Sequence, residues 1–168
     1  MEKMPLVILG TSRENSTTLK VTETVLCGMA FNVVPLHDLE IAPYDYSGAY
    51  PPTDDFPAVT EHLLNHNVII FATPVYWYSM SALMKAFFDR LTDLVTIRKE
   101  TGRKLQGKST FLVAAGTDRD LPEGFEVPFR LTSAYLRMHY RLGAYQSARF
   151  PEHPENHSAF RDAVMRHI

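Results

Sequence analysis

The sequence predicts an α/β fold, a single doubly wound sheet of five parallel strands with helices on both faces. Three observations carry that expectation. Short apolar runs alternate five times with stretches of helical periodicity, always strand before helix. Three of those runs, 6–9, 68–71 and, past Ser109 and Thr110, the remainder of 109–115, are continuously apolar rather than at every second residue, as strands covered on both faces must be. No internal repeat or linker interrupts the 168 residues, which suffice for one domain with a two-sided core and fall short of two ordinary domains.

Taken in order, the first strand is 6–9, bounded by Pro5 and Gly10. A hydroxyl-rich turn follows, and the spacing predicts a helix over 17–29 with Leu19, Val21, Thr22, Val25, Leu26 and Met29 toward the core. Residues 31–36 supply the second strand. Residues 37–55, with Pro43, Gly48, Pro51 and Pro52, read as a long irregular segment, which at that length is functional or pinned to a partner. The helix over 56–66 is led by Asp54 or Asp55 as cap and tolerates Pro57 in its first turn.

The third strand, 68–71, gives way to Pro74, which has no N–H for a sheet ladder. Ser79 or Ser81 offers a cap to the next helix, where Ala82, Leu83, Ala86, Phe87 and Leu91 recur at helical spacing. A polar, basic connector spans 96–108, strand four 109–115, and a loop 116–124. The helix over 125–137 carries Phe129, Leu131, Ala134, Tyr135 and Leu136, with Pro128 in its first turn. Residues 138–145, more polar and containing Gly143, suit an edge strand, and 155–167 form a terminal helix.

Composition removes several classes of function. A net charge of −2 gives no reason to expect nucleic acid or an anionic membrane as partner. A single cysteine, Cys27, expected within the first helix, rules out an internal disulfide, a CxxC pair and a cysteine-held iron–sulfur cluster. The opening residues form only a strand-length apolar run, and no later stretch reaches transmembrane length, so a cytoplasmic location is the default expectation. Residues 102–109, Gly-Arg-Lys-Leu-Gln-Gly-Lys-Ser, match the Walker A pattern but lead into a strand, whereas a phosphate-cradling loop must open a helix. Gly107 then reads as a turn and Lys108 as a surface charge. His62 and His66, and His153 and His157, are four residues apart, but no carboxylate or cysteine in register completes a metal set, and they read as surface histidines. There is no GxSxG elbow and no triad order, so nucleophilic hydrolysis has no support.

Two turns carry the remaining chemistry. Gly10-Thr-Ser-Arg-Glu-Asn-Ser-Thr-Thr18 lacks the three glycines of a dinucleotide fingerprint. It offers the hydroxyls of Thr11, Ser12, Ser16, Thr17 and Thr18, the amides of a helix start and the Arg13 guanidinium, which are the donors a phosphate monoester needs. The second turn, Pro74-Val-Tyr-Trp-Tyr-Ser79, places Tyr76, Trp77 and Tyr78 at the carboxyl edge of the sheet, where open α/β folds bind ligands. A flat ligand or a neighbouring subunit would cover them.

These two stretches resemble the NADPH-dependent FMN reductase family, a branch of the flavodoxin-like proteins. Residues 10–18 are similar to its Gly-Ser-x-Arg-x-x-Ser/Gly-x-Thr/Asn turn. Residues 73–90 are similar to its Pro-x-Tyr loop and Lys-x-x-x-Asp-Arg helix, and the likeness extends over about 6–116. The resemblance implies a sheet of order 2-1-3-4-5 that holds FMN. It places the phosphate on Thr11, Arg13, Ser16, Thr17 and Thr18, and the isoalloxazine against Pro74, Val75, Tyr76, Trp77 and Tyr78, with Ser79 nearby and Gly116 and Thr117 opposite. Thr11 stands where the family has serine, and the loop from Gly116 to Asp120 lacks the usual glycine cluster.

The activity implied is NAD(P)H oxidation through FMN, with a quinone, free flavin or similar small molecule as acceptor. Such chemistry runs on the flavin, so a missing catalytic acid or nucleophile is expected. A homodimer or homotetramer with pockets at subunit edges is expected from the long 37–55 loop and the exposed aromatics. The rival readings are a flavodoxin-type electron carrier, whose docking needs an acidic face that −2 does not supply, and a flavin-free interaction scaffold.

Overall fold

The computed structural model describes residues 4–151 and 155–168; residues 1–3 and His153 lie outside the described residues. Five strands, β1 (Leu6–Leu9), β2 (Asn32–Pro35), β3 (Val68–Pro74), β4 (Ser109–Gly116) and β5 (His139–Ser147), pair in parallel in the order β2-β1-β3-β4-β5. The helices are α1 (Thr17–Val25), α2 (Phe56–Asn65), α3 (Ala82–Arg90), α4 (Lys99–Arg103), α5 (Val127–Tyr135) and α6 (Glu155–Met165).

Because strand side chains alternate between faces, each unbroken apolar run feeds two cores. Leu6, Ile8, Ile69, Phe71, Leu112 and Ala114 pack with Phe56, Val59 and Leu63 of α2, Met84, Phe87 and Phe88 of α3, and Phe129 of α5. Val7, Leu9, Ile70, Ala72, Phe111 and Val113 pack on the other face with Val21 and Val25 of α1 and Phe160 and Val164 of α6. Among the described residues no helix is long and apolar enough to cross a membrane.

Several boundaries differ from the sequence expectation, each for a local reason. Helix α1 ends at Val25 because Gly28, at φ +80°, turns the chain, and Cys27 sits exposed in that turn. Leu26 stays buried beyond the helix, so the apolar spacing outlasts the helical backbone. Helix α5 ends at Tyr135. There the Met138 and Arg137 N–H groups donate to the Ser133 and Ala134 carbonyls, with Arg137 at φ +59° where glycine is usual. The connector 96–108 contains α4. Strand β5 runs on to Ser147 and inserts Arg141 between the residues paired with Thr110 and Phe111. Asp55 occupies the N-cap of α2 without a capping bond; its Oδ2 accepts from Glu40 N–H instead.

The 37–55 segment is fastened within its own chain by Arg90, a fully buried residue. The guanidinium donates to both Asp54 oxygens at 2.8 Å, to the Ala42 carbonyl at 2.9 Å and to Asp93 Oδ2 at 3.1 Å. Tyr50 closes one face of the group at 3.4 Å and donates its hydroxyl to Asp93, while Phe56 lies 4.6 Å from the guanidinium. Burial alone would push the Asp54 carboxyl up, but the bonds from Arg90 and from Ala42 N–H outweigh it and hold the group below its ordinary value. A planar, bidentate cation is what such a pair of carboxylates requires.

Candidate functional site

The turns after β1, β3 and β4 meet at the carboxyl edge of the sheet. Gly10 N–H continues the ladder by donating to Ala72 O at 2.8 Å. A Cβ on Gly10 would stand 2.8 Å from Met84 Cβ, so only glycine lets β1 approach α3 this closely. Ser81 is the N-cap of α3, accepting from Met84 N–H at 3.1 Å, and its hydroxyl also donates to Gly10 O. One serine thereby starts a helix and ties two of the three turns together.

Ser16 caps α1 in the same way, its Oγ accepting from Leu19 N–H at 3.1 Å. The preceding amides of Thr17 and Thr18 lie at the open, positive end of the helix. These residues, with Thr11, Arg13 and Asn15, line one side of a cleft of about 270 Å³. Pro74, Val75 and Tyr76 form a second wall, and Ala115, Gly116, Thr117 and Ala148 a third. No acidic side chain lines it, and among the described residues Arg13 pairs with no carboxylate.

The aromatic turn is built differently. Tyr76 and Ser79 exchange both backbone hydrogen bonds, at 2.9 and 3.0 Å, which closes a two-residue hairpin around Trp77 and Tyr78. Both central residues have positive φ, 48° and 64°, a conformation that favours Asn-Gly in such turns and strains large side chains. Trp77 is 93% exposed and Tyr78 70%. The two line a neighbouring depression of about 170 Å³ with Val75, Thr117 and Asp118.

Beyond β4, the Tyr145 ring packs on Gly116, where an added Cβ would stand 2.7 Å from the phenol oxygen. That hydroxyl donates to Asp118 O at 2.7 Å, and Ser147 Oγ donates to Thr117 O at 3.2 Å, so β5 fixes the loop. Burial, and then the charges of Asp118 and Asp120, raise the Tyr145 phenol above its ordinary value.

Of the residues singled out in the sequence, Ser12 is exposed and lies off the cleft, and Ser79 lines neither depression, serving the turn through its backbone. Asn15, Ala115 and Ala148 line the cleft without having been expected. Asn15 sits beside the cap and could have been included as a further donor; the alanines carry no signal. Lys108 is buried and not a surface charge. Its Nζ donates to the Leu64 and His66 carbonyls at 2.8 and 2.6 Å, closing the C-terminal end of α2, and burial lowers its pKa. His66 is buried too, bonded to the His62 carbonyl at 2.7 Å and accepting from Asn32 Nδ2 at 2.9 Å, and His157, in the first turn of α6, is also buried. The described residues contain no cluster able to hold a metal ion.

Comparison with known proteins places this architecture. The profile of the NADPH-dependent FMN reductases matches residues 5–149. The chain belongs to that family. It is an oxidoreductase of the NAD(P)H-dependent, FMN-using type, as the match over most of its length requires. Bacillus subtilis YwqN, named as an NAD(P)H-dependent FMN-containing oxidoreductase, is 27% identical over 128 residues, 70% of this chain and 69% of that protein. KefG of Cronobacter sakazakii, named as an ancillary protein of a glutathione-regulated potassium-efflux system, is 35% identical over 89 residues. That alignment spans 46% of this chain and about half, 48%, of the relative. Among solved structures, the Trp repressor binding protein from Bacillus subtilis superposes with a TM-score of 0.71 at 21% identity, covering 98% of this chain and 97% of that one. Such a likeness fixes the flavodoxin-like fold.

The donor set fits FMN. A phosphate monoester dianion needs several N–H and O–H donors and one cation, which the helix start, the threonines and Arg13 provide without an opposing carboxylate. The flat ring system needs apolar and aromatic walls, which Pro74, Val75 and Tyr76 supply.

Proposed function

We propose that the cleft between the turns after β1, β3 and β4 holds FMN and that the enzyme passes two electrons from NAD(P)H to a quinone, free flavin or similar small acceptor. Bound there, the flavin would supply the hydride-accepting chemistry at N5. The chain's task is binding, orientation and control of access. Arg13 neutralises the phosphate, and the amides of Thr17 and Thr18 with the hydroxyls of Thr11, Ser16 and Thr18 saturate its oxygens. Pro74, Val75 and Tyr76 support one side of the ring, Gly116 and Thr117 the other. Trp77 and Tyr78 form the rim on which nicotinamide and acceptor stack in turn, so the two substrates share one opening.

The observation that carries this reading is the convergence of a donor-rich helix start and an aromatic turn on one cleft free of acidic lining residues. The enzyme works in this view as a cytoplasmic homodimer or homotetramer. Stopped-flow mixing of the FMN-loaded protein with NADH and with NADPH tests it. Fast single-phase bleaching of the flavin without any partner protein, and ping-pong steady-state kinetics with a quinone, are the expected results. Reduction no faster than that of free FMN by either nucleotide would leave an electron carrier in its place.

A further inference from the structure

The depression of about 170 Å³ beside the larger cleft has a chemistry of its own. It shares Val75 and Thr117 with the cleft, so the two adjoin along the rim. Trp77, the chain's single tryptophan, and Tyr78 reach it from the turn after β3, and Asp118 reaches it from the loop after β4. An indole and a phenol offer flat, electron-rich faces on which any planar ring can stack. A carboxylate beside them makes the site sensitive to the sign of the charge on that ring.

That charge is not neutralised. No lysine, arginine or histidine lines the smaller depression, and the one cation lining the cleft is Arg13, at the phosphate turn. Arg119, next to Asp118 in sequence, lines a different pocket with Glu126 and stacks on the Phe150 ring at 5.2 Å. Among the described residues Asp118 forms no ion pair. The backbone that carries it is held in place, because the Tyr145 hydroxyl donates to Asp118 O at 2.7 Å and Ser147 Oγ donates to Thr117 O at 3.2 Å. Asp120 adds to the same field, and after burial the two carboxylates raise the Tyr145 phenol further. Aromatic faces beside an unpaired carboxylate attract a planar cation twice over, through the ring quadrupoles and through charge, and the carboxylate repels an anion.

We propose that Asp118, with Trp77 and Tyr78, determines acceptor specificity: the rim takes planar cationic acceptors, of the class of N-alkylated heteroaromatic and phenothiazinium rings, ahead of neutral quinones, and turns anionic ones away. The transfer balances without a further reagent, NAD(P)H + A⁺ → NAD(P)⁺ + AH, with one hydride passed by way of the cofactor and the acceptor losing its charge as it is reduced. The product thereby loses the attraction that held the substrate, which favours its release. The inference rests on the reductase reading above and names the acceptor class for it.

Rapid mixing tests it. The FMN-loaded enzyme, reduced beforehand with NADH or NADPH, is mixed with methylene blue as the planar cation and with indigo disulfonate as the planar anion, and reoxidation of the flavin is followed. In the ratio of the two rates any general effect of a substitution, and the difference in acceptor potential, cancel between variants. That ratio should fall by ~10-fold in Asp118→Asn, because one charge acts with opposite sign on the two acceptors, and Asp118→Glu should retain it. Binding is read separately from the Trp77 emission of the oxidised, FMN-loaded protein. There 1-methylquinolinium should quench saturably with ~5-fold higher affinity than quinoline, its neutral counterpart, and Asp118→Asn should abolish the preference. A rate ratio unchanged in Asp118→Asn, or a quinolinium bound no better than quinoline by the unmodified protein, would overturn the assignment and leave the reductase reading in place. A flavin that neither NADH nor NADPH bleaches would end the reductase reading and this one with it.

Discussion

After β1 the chain enters α1 with its backbone demands met locally, since Ser16 caps the helix and β-region backbone leads into it. After β3 the chain reaches the same cleft through Pro74, Val75 and Tyr76 and then turns beside it at Trp77 and Tyr78, both held at positive φ and both largely exposed. The first turn is an unstrained receptor for charge, preformed by the ordinary rules of helix starts. The second holds a conformation that costs energy and presents aromatic surface to solvent, a cost that is explicable if the rings are covered during function. Affinity for the cofactor should therefore reside in the first turn, and substrate handling in the second.

Three variants probe that division. Removing the guanidinium should have the largest effect: Arg13→Ala should weaken FMN binding by about 1.5 to 3 kcal/mol, the range for a hydrogen bond to a charged group, and leave unfolding unchanged. Fluorescence titration reads the affinity; an unaltered value would remove Arg13 from the phosphate site. Ser16→Ala should lower stability in urea by about 1 kcal/mol through loss of the cap, and weaken FMN along with it. By contrast, Tyr78→Gly should raise stability. Relief of ~1–2 kcal/mol of left-handed strain, less the entropy of an unfolded glycine, leaves a gain of about 0.5 to 1 kcal/mol, read from the urea midpoint at constant slope.

The smallest effect concerns pH. The native Tyr145 phenol sits above its ordinary value of 10.0, so the folded state holds that proton more tightly than the unfolded state. Its contribution is whole below pH 10.0 and is lost as pH rises through the native value. Tyr145→Phe should flatten the alkaline fall in stability; an identical pH profile would mean that the phenol does not ionise within the folded range.

The alternation of strand and helix was legible because apolar runs and periodicity are local properties, and the resemblance supplied the strand order that the structure has. Ends were less legible: Leu26 and Arg137 continue the helical pattern while Gly28 and Arg137 itself, at positive φ, stop the helix. In the cleft, the turn of Thr11 to Thr18 announced itself by composition, but which side chains face inward depends on the backbone path, and Asn15 rather than Ser12 does so. Lys108 and His66 show the limit most clearly. Both are polar residues held in the interior by partners distant in sequence, the Leu64 and His66 carbonyls for Lys108 and the Asn32 side chain for His66, and nothing in the sequence announces those pairings. Arg90 belongs with them, since the Asp-Arg pair could be recognised as a motif while its role as a clamp on residues 42–54 could not.

That clamp changes how the molecule breathes. A long segment without regular structure ordinarily exchanges its amide hydrogens through small local openings. Here an opening of residues 40–55 would take Asp54 from Arg90 and leave a buried cation and Asp93 without their full set of partners, a disruption comparable to breaking the core itself. The amides of Glu40 and Ala42, bonded to the Asp55 and Asp54 carboxylates, should accordingly exchange as slowly as those of the central strands, and Arg90→Met should release them to the rate of a loop.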